Sequence, residues 1–312
     1  MDQHLKNQIK ENTFNSYRGQ MCTIATHFNG TRKITFEELA DKNNWLKLKD
    51  KFKELQRSPA SFNSYRRVAK AVHNHAVKDE ITFTSFSYVR TVASKKLEPK
   101  WMRSEDLIKV INGLDVNNNE FEFSVTSILT YLLLFSMRGL YIRDILLLSM
   151  DRFVDSTYEN TERFSFGEKN MVYKHNRSKT NKMGLVYMGL DPIEEIISLL
   201  NNMIDPTCES IFPLGGGKDL TFWTKIQRRF KVITGHPFKS VRKAFQTTGS
   251  ILSVPDADMR ELMYQNDNTI SVHYKDTQAP QMLEKYTKYH SDILEKYRVN
   301  DMFKMLKDKL KH

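Results

Sequence analysis

Apolar residues recur at spacings of three and four through the first ninety residues, and that period commits this part of the chain to helices. Phe14, Tyr17, Met21 and Ile24 form one stripe; Leu39, Trp45, Leu48 and Phe52 form a second. Tyr65, Val68, Ala71 and Val72 form a third, after a Ser58-Pro59 helix start. Arg66, Arg67 and Lys70 lie on the opposite face of that third helix. The pattern then breaks in TVASKKLEPKWMRSEDL (91–107), which is polar, basic and contains Pro99. The expected organisation is a helical domain over residues 1–92, a hinge over 93–102, and a second domain over 103–312.

The second domain is mixed. The pattern predicts helices at 104–113, 124–137, 141–149, 192–203, 220–233, 238–253, 256–264 and 269–277. One or two amphipathic helices follow in the last forty residues, with Leu283, Tyr286, Ile293 and Leu294 on one face. That face suits packing on its own domain or docking on a neighbouring copy. Between the helices, FSFGEKNMVYKHNRSKTNKMGLVYMGL (164–190) alternates and is rich in β-branched and aromatic residues. It reads as two or three short strands joined by basic turns. The fold class is therefore mostly α, with a small antiparallel β-sheet in the C-terminal domain.

Charge narrows the partner. Lysine and arginine number 48 against 37 acidic residues in 312, a net charge of +11, which favours a polyanion, nucleic acid first. The two cysteines, Cys22 and Cys208, are far apart, which argues against a disulfide scaffold or a cysteine zinc site and fits a reducing compartment. The polar start MDQHLKNQIKENTF is no signal peptide, and the longest apolar run, YLLLF (131–135), is too short to span a bilayer. A soluble, intracellular protein with no membrane partner is expected.

Several chemistries find no support. There is no HExxH or CxxC spacing for a metal, no GxGxxG and no GxSxG. The LGGGKDL segment (214–220) fails as a phosphate loop. Pro213 stands where the first glycine belongs, and Asp219 where serine or threonine belongs.

Other residues fit a phosphate chemistry without a metal. In KSVRKAF (239–245), Lys239 and Arg242 are three apart on a helix and share a face, with Val241, Ala244 and Phe245 on the buried side. Arginine's planar fork suits two phosphate oxygens at once. A short helix ending in Glu261-Leu-Met-Tyr-Gln265 follows, then a polar turn, then Tyr274. This order resembles the tyrosine recombinases, the phage integrase family. Lys239-Ser-Val-Arg242 fits that family's His/Lys-x-x-Arg box, with His236 the competitor for the first position. Gln265 stands where histidine or tryptophan is usual, and Tyr274 falls nine residues after Gln265 and 32 after Arg242, as in the family. LLLFSMRGLYIRDILLLSMDRF (132–153) resembles the first arginine box. Tyr141 occupies the usual arginine position, so Arg138 is the candidate and Arg143 the fallback, with Asp144 as the acidic residue ahead of an apolar run. HNRSKTNKMGLVYM (175–188) resembles the basic strand turn that carries the catalytic lysine, Lys179, with Lys182 its rival.

The resemblance implies a helical core-binding domain followed by a catalytic domain, on double-stranded DNA, as a dimer to tetramer. It implies that Tyr274 attacks a backbone phosphate, making a 3′-phosphotyrosine and freeing a 5′-hydroxyl. Arg138 and Arg242 would stabilise the transition state, Lys179 would protonate the leaving oxygen, Lys239 would assist, and Gln265 would hold a non-bridging oxygen. No metal, nucleotide or other cofactor is needed. Two such exchanges pass through a four-way junction. Arg66, Arg67, Lys70, Arg177, Lys182 and Lys243 are the expected DNA contacts. Tyr286, Tyr289 and Tyr297 recur at helix spacing and are expected in a core or interface. The alternatives are a type IB topoisomerase, which shares the chemistry, and a DNA-binding relative without activity.

Overall fold

The computed structural model describes residues 11–86, 90–93, 101–146, 148, 153–155, 171–176, 183–187, 190–207, 213–265 and 280–311. The chain divides into two compact units, Met1–Glu98 and Pro99–His312.

The first unit is built from α1 (Glu11–Asn29), α2 (Phe36–Ala40), α3 (Lys42–Glu54) and α4 (Pro59–Lys78). Three of the starts have a sequence cause. Thr35 caps α2 in a reciprocal capping box with Glu38, Asp41 caps α3 through the Asn43 N–H, and Ser58 caps α4 with Pro59 behind it. Trp45 fills the centre, donating its indole N–H to Leu39 O at 2.7 Å and meeting Phe28, Phe62 and Phe86 edge-on. Asn63 exchanges two hydrogen bonds with the backbone of Val92, at 2.7 and 2.8 Å, which fixes the chain after α4 back onto its own unit.

The second unit contains α5 (Ser104–Asn112), α6 (Phe121–Ser136), α7 (Ile142–Ile145), α8 (Ile193–Ile204), α9 (Leu220–Thr234), α10 (Ser240–Ile251), α11 (Asp256–Leu262), α12 (Pro280–Lys296) and α13 (Val299–Lys309). Helix α6 is apolar on nearly every side, which is the signature of a central helix. α8, α9, α10 and α13 pack around it. Its buried hydroxyls at Ser124, Thr126, Ser127 and Thr130 donate to carbonyls three or four residues back, whereas that of Ser136 in the last turn has no partner. Tyr131 stacks on Phe230, and Phe135 stacks on Tyr297 at 3.9 Å.

Several expectations need correction. A sheet was expected beside the helices, but among the residues with described side chains there is no strand, and helices and the loops that join them fill both cores. Backbone pairing is confined to three short antiparallel segments, β1 (Phe153–Asp155), β2 (Met171–Asn176) and β3 (Met183–Tyr187), in the order β1-β2-β3. The alternation over 164–190 therefore marked local extended backbone rather than a layer of the described core, and β1 lies outside it. Trp101 and Met102, expected in the hinge, belong to the second core. The helix expected over 141–149 is a single turn, and that expected at 269–277 lies outside the described residues. The glycine turn Leu214–Gly217 is packed, with Gly215 N–H donating to Asn201 Oδ1 at 2.7 Å, while Asp219 caps α9. The terminal helix turns its apolar face, Val299, Met302, Phe303 and Leu306, into its own unit, and Tyr286, Ile293 and Leu294 do the same. Among the described residues no helix is long and apolar enough to cross a membrane.

Tyr297 ties the start of this unit to its centre. Its hydroxyl donates to Met102 O at 2.8 Å and lies 3.4 Å from that of Tyr131, with the ring 1% exposed. Tyr297→Phe keeps the stacking but leaves that buried carbonyl without its donor, and is expected to cost about 1–3 kcal/mol. Chemical denaturation followed by circular dichroism measures this, and an unchanged midpoint would contradict it.

Candidate active site at two helix ends

Helix α6 ends where the chain turns through Arg138 and Gly139, both with left-handed backbone, φ 62° and 70°. The Arg138 N–H donates to Phe135 O at 3.0 Å and the Gly139 N–H to Leu134 O at 2.9 Å. That is a Schellman end, with arginine at the left-handed position that glycine usually takes. Helix α11 ends in the same way. Tyr264 has φ 53° and donates to Glu261 O at 3.0 Å, and Gln265 donates to Arg260 O at 2.8 Å. The pattern recurs at Gln56, Glu80 and Ser253, so left-handed backbone at Arg138 is not by itself a mark of function.

Arg242, in the first turn of α10, joins these two ends. It donates from Nη1 to Gly139 O at 3.0 Å and from Nη2 to Met263 O at 2.5 Å, and it is 8% exposed. Carbonyls past a helix end have no intrahelical donor, so a buried guanidinium can satisfy both. Its carbon lies 5.6 Å from the centre of the Tyr141 ring. Gly139 is needed twice over here, for its φ and for space: a Cβ would sit 3.0 Å from Arg242 Cα.

Arg138 is 4% exposed. Its Nε–H lies 3.4 Å from His290 Nδ1, and His290 Nε2 lies 2.7 Å from Ser136 O. The carbonyl can only accept, so Nε2 carries the proton and Nδ1 is the acceptor. Burial first, and the charge of Arg138 second, hold the imidazole well below its ordinary pKa. Burial also opposes the charge on Arg138, while Tyr264, Glu261 and Tyr286 favour it. A buried cation thus takes its Nε hydrogen bond to a neutral ring rather than to a carboxylate. That bond cancels none of the positive charge, which Glu261 offsets only through space, and a buried cation acts strongly on an anion.

The remaining expected residues fall as follows. Lys239 immediately precedes α10 and is exposed, whereas Arg242 is buried. Lys239 is the residue before the helix, already in helical backbone at φ −60° and ψ −11°, and it differs from Arg242 in exposure. Lys239 lines an open cleft of about 220 Å³ with Tyr141 and the exposed Arg143. His236, Lys243 and Gln265 are half-buried. Tyr274, Arg177, Lys179 and Lys182 lie outside the described residues; the last three fall between β2 and β3 in sequence. The flanks of Tyr274 are described. Asp258 on α11 pairs with Lys285 on α12 at 2.8 Å. Helix α11 reaches Arg242 through Met263 O, and α12 reaches Arg138 through His290. Both helices that bracket the tyrosine segment therefore touch the arginine pair. Tyr286 and Tyr297 are core residues, and burial raises both phenols far above their ordinary range.

In the first unit, Arg67 and Lys70 are exposed and Arg66 is half-buried on α4. A separate cleft of about 1060 Å³ is lined by Arg18, His27, Arg32 and Lys33 among others. The apolar periodicity gives no signal for this group. The pKa of His27 is lowered first by burial and then by Arg57 and Lys51, which do not line the cleft.

No protein-family model matches the chain, and no curated protein resembles it in sequence. Solved structures do. A lambda integrase dimer bound to a COC′ core site is 14% identical, with TM-score 0.59 over 88% of this chain and 92% of that one. A lambda integrase tetramer bound to a Holliday junction gives the same score and identity over 88% and 74%. The Tn1549 transposon integrase in complex with transposon right end DNA is 12% identical, with TM-score 0.55 over 91% and 95%. The chain has the tyrosine recombinase fold.

Gly139→Ala places a side chain in left-handed backbone against α10. It is expected to lower stability by about 1–3 kcal/mol. Thermal unfolding followed at 222 nm checks this, and unaltered stability would mean that the close approach of the two arginine-bearing segments is not needed.

Proposed function

We propose that this chain is a site-specific DNA recombinase that cuts and rejoins double-stranded DNA through a 3′-phosphotyrosine. The observation that carries the reading is the bracketing just described: Arg138 and Arg242, 104 positions apart, sit together, held by the two helices on either side of Tyr274. In this reading the Tyr274 oxygen attacks a backbone phosphorus and forms the new P–O bond. The bond to the 5′-oxygen breaks, and Lys179 delivers the proton that turns that oxygen into a hydroxyl. Arg138 and Arg242 stabilise the charge that builds on the non-bridging oxygens. Lys239 adds a charge or assists proton transfer from the cleft it shares with Arg143, and Gln265 donates a hydrogen bond to phosphate. The link conserves bond energy, so another strand's 5′-hydroxyl reverses the reaction without ATP or metal.

Arg66, Arg67 and Lys70 would hold the duplex in the first unit, and Arg177, Lys182 and Lys243 in the second. Such phosphate contacts make binding strongly dependent on salt. A dimer to tetramer on DNA is part of the same reading; it draws on the dimer and tetramer of the lambda integrase structures. A second reading, a DNA-binding relative without activity, has one observation in its favour: Arg242 already spends two donors on backbone carbonyls.

Incubation with nicked duplexes from the DNA flanking the protein's own gene, analysed on a denaturing gel, separates the two. Wild type is expected to give a covalent protein–DNA adduct, Tyr274→Phe none, and Arg242→Ala a rate lower by roughly a hundredfold to a thousandfold. Tight binding by wild type with no adduct on any duplex would favour the inactive reading.

A further inference from the structure

His290 lies on α12, sixteen residues past Tyr274, and no motif drew attention to it. It is fully buried, with its ring edge-on to Phe245 at 5.9 Å. Both ring nitrogens are used. Nε2–H donates to Ser136 O at 2.7 Å, and Nδ1 accepts from Arg138 Nε–H at 3.4 Å. The first bond anchors the ring to the last turn of α6, the helix that carries Arg138. The second holds the guanidinium by its inner nitrogen and does not use the N–H groups of Nη1 and Nη2.

The geometry points to His290 as the positioning residue for Arg138: an acceptor that aims the fork of this arginine at a phosphate without cancelling its charge. The assignment rests on the reading of Arg138 as a phosphate-binding group. A carboxylate at the same place would orient Arg138 equally well but would neutralise it. A neutral imidazole supplies the lone pair and keeps the cation available for an anion. The Ser136 carbonyl, by holding the proton on Nε2, enforces that tautomer.

The two ring nitrogens can be separated by substitution. Asparagine places its amide oxygen near the position of Nδ1 and keeps an acceptor for Arg138, while giving up the bond to Ser136 O. Glutamine reaches the position of Nε2 and keeps that bond, while giving up the acceptor. His290→Asn and His290→Gln are compared with wild type in the full-length chain, at a temperature where circular dichroism shows all three folded. The readouts are the rate of adduct formation on the nicked duplexes and the affinity for the same DNA. The expected result is a rate close to wild type for His290→Asn and a loss of roughly ten- to a hundredfold for His290→Gln, with DNA affinity unchanged in both. Equal loss in the two variants, or loss in neither, overturns the assignment, because a packing role does not distinguish the two nitrogens.

A second readout keeps this apart from the recombinase reading. The Arg138 Nε–H signal, assigned through Arg138→Lys in arginine-labelled protein, reports the bond directly. If it is protected from exchange in wild type and His290→Asn but not in His290→Gln, the orienting role stands even where wild type forms no adduct, and only the recombinase reading fails. If wild type forms adduct and the signal is the same in all three, the orienting role fails and the recombinase reading survives.

Discussion

Arg242 bonds the carbonyls of Gly139 and Met263, and the second unit is arranged around that pair of contacts. Each carbonyl belongs to the turn that ends a helix, where the backbone has acceptors and no donor of its own. One side chain from a third helix supplies both. The consequence is spatial. The end of α6, which carries Arg138, the end of α11, which leads to the Tyr274 segment, and the start of α10 are held at one point. Gly139 makes the approach possible by having no side chain, and α6 makes it rigid by being buried on nearly every side.

The site this creates is electrostatic in character. Two guanidinium groups are placed where water is largely excluded, with exposures of 4% and 8%. Burying such charge is costly unless it is hydrogen-bonded. Carbonyl oxygens and a neutral imidazole supply those bonds for Arg242 and Arg138 and carry no full negative charge. A phosphate entering such a place meets cations whose orientation is already fixed, and the preorganisation costs nothing at the moment of reaction. The two carbonyl bonds of Arg242 are also why its role is double. It holds the architecture whether or not a phosphate is present, and a substitution there disturbs both.

Much of this was legible in the sequence, for identifiable reasons. The helices of the first unit follow from apolar spacing and from the Ser58-Pro59 start, while the caps at Thr35 and Asp41 came with the structure. Arg138 and Arg242 emerged as candidates through a resemblance carried by two short boxes, and such boxes are local. What was not legible is long-range. His290 reads as one more polar residue on an amphipathic helix, and its partner Arg138 is 152 residues away. Arg18, Arg32 and Lys33 are ordinary surface charges until α1 and the loop after it bring them to one cleft. Lys239 and Arg242 stand three apart in helical backbone, yet one is exposed and the other buried, a difference that spacing alone does not give. The strand pattern over 164–190 was over-read as a layer of the fold, since no residue from it up to Gly189 belongs to the described core.

The likeness to lambda and Tn1549 integrases is one of fold, at 12–14% identity. The step from fold to chemistry rests on the arginine pair and on the helices that bracket Tyr274. The most direct test is to trap the protein–DNA adduct, digest it with protease and nuclease, and identify by mass spectrometry the tyrosine that keeps the nucleotide. Attachment at Tyr274 is the expected result, because the helices on both sides of that segment contact the arginine pair. Attachment at any other tyrosine, such as Tyr141 at the open cleft or Tyr289 on α12, would contradict it.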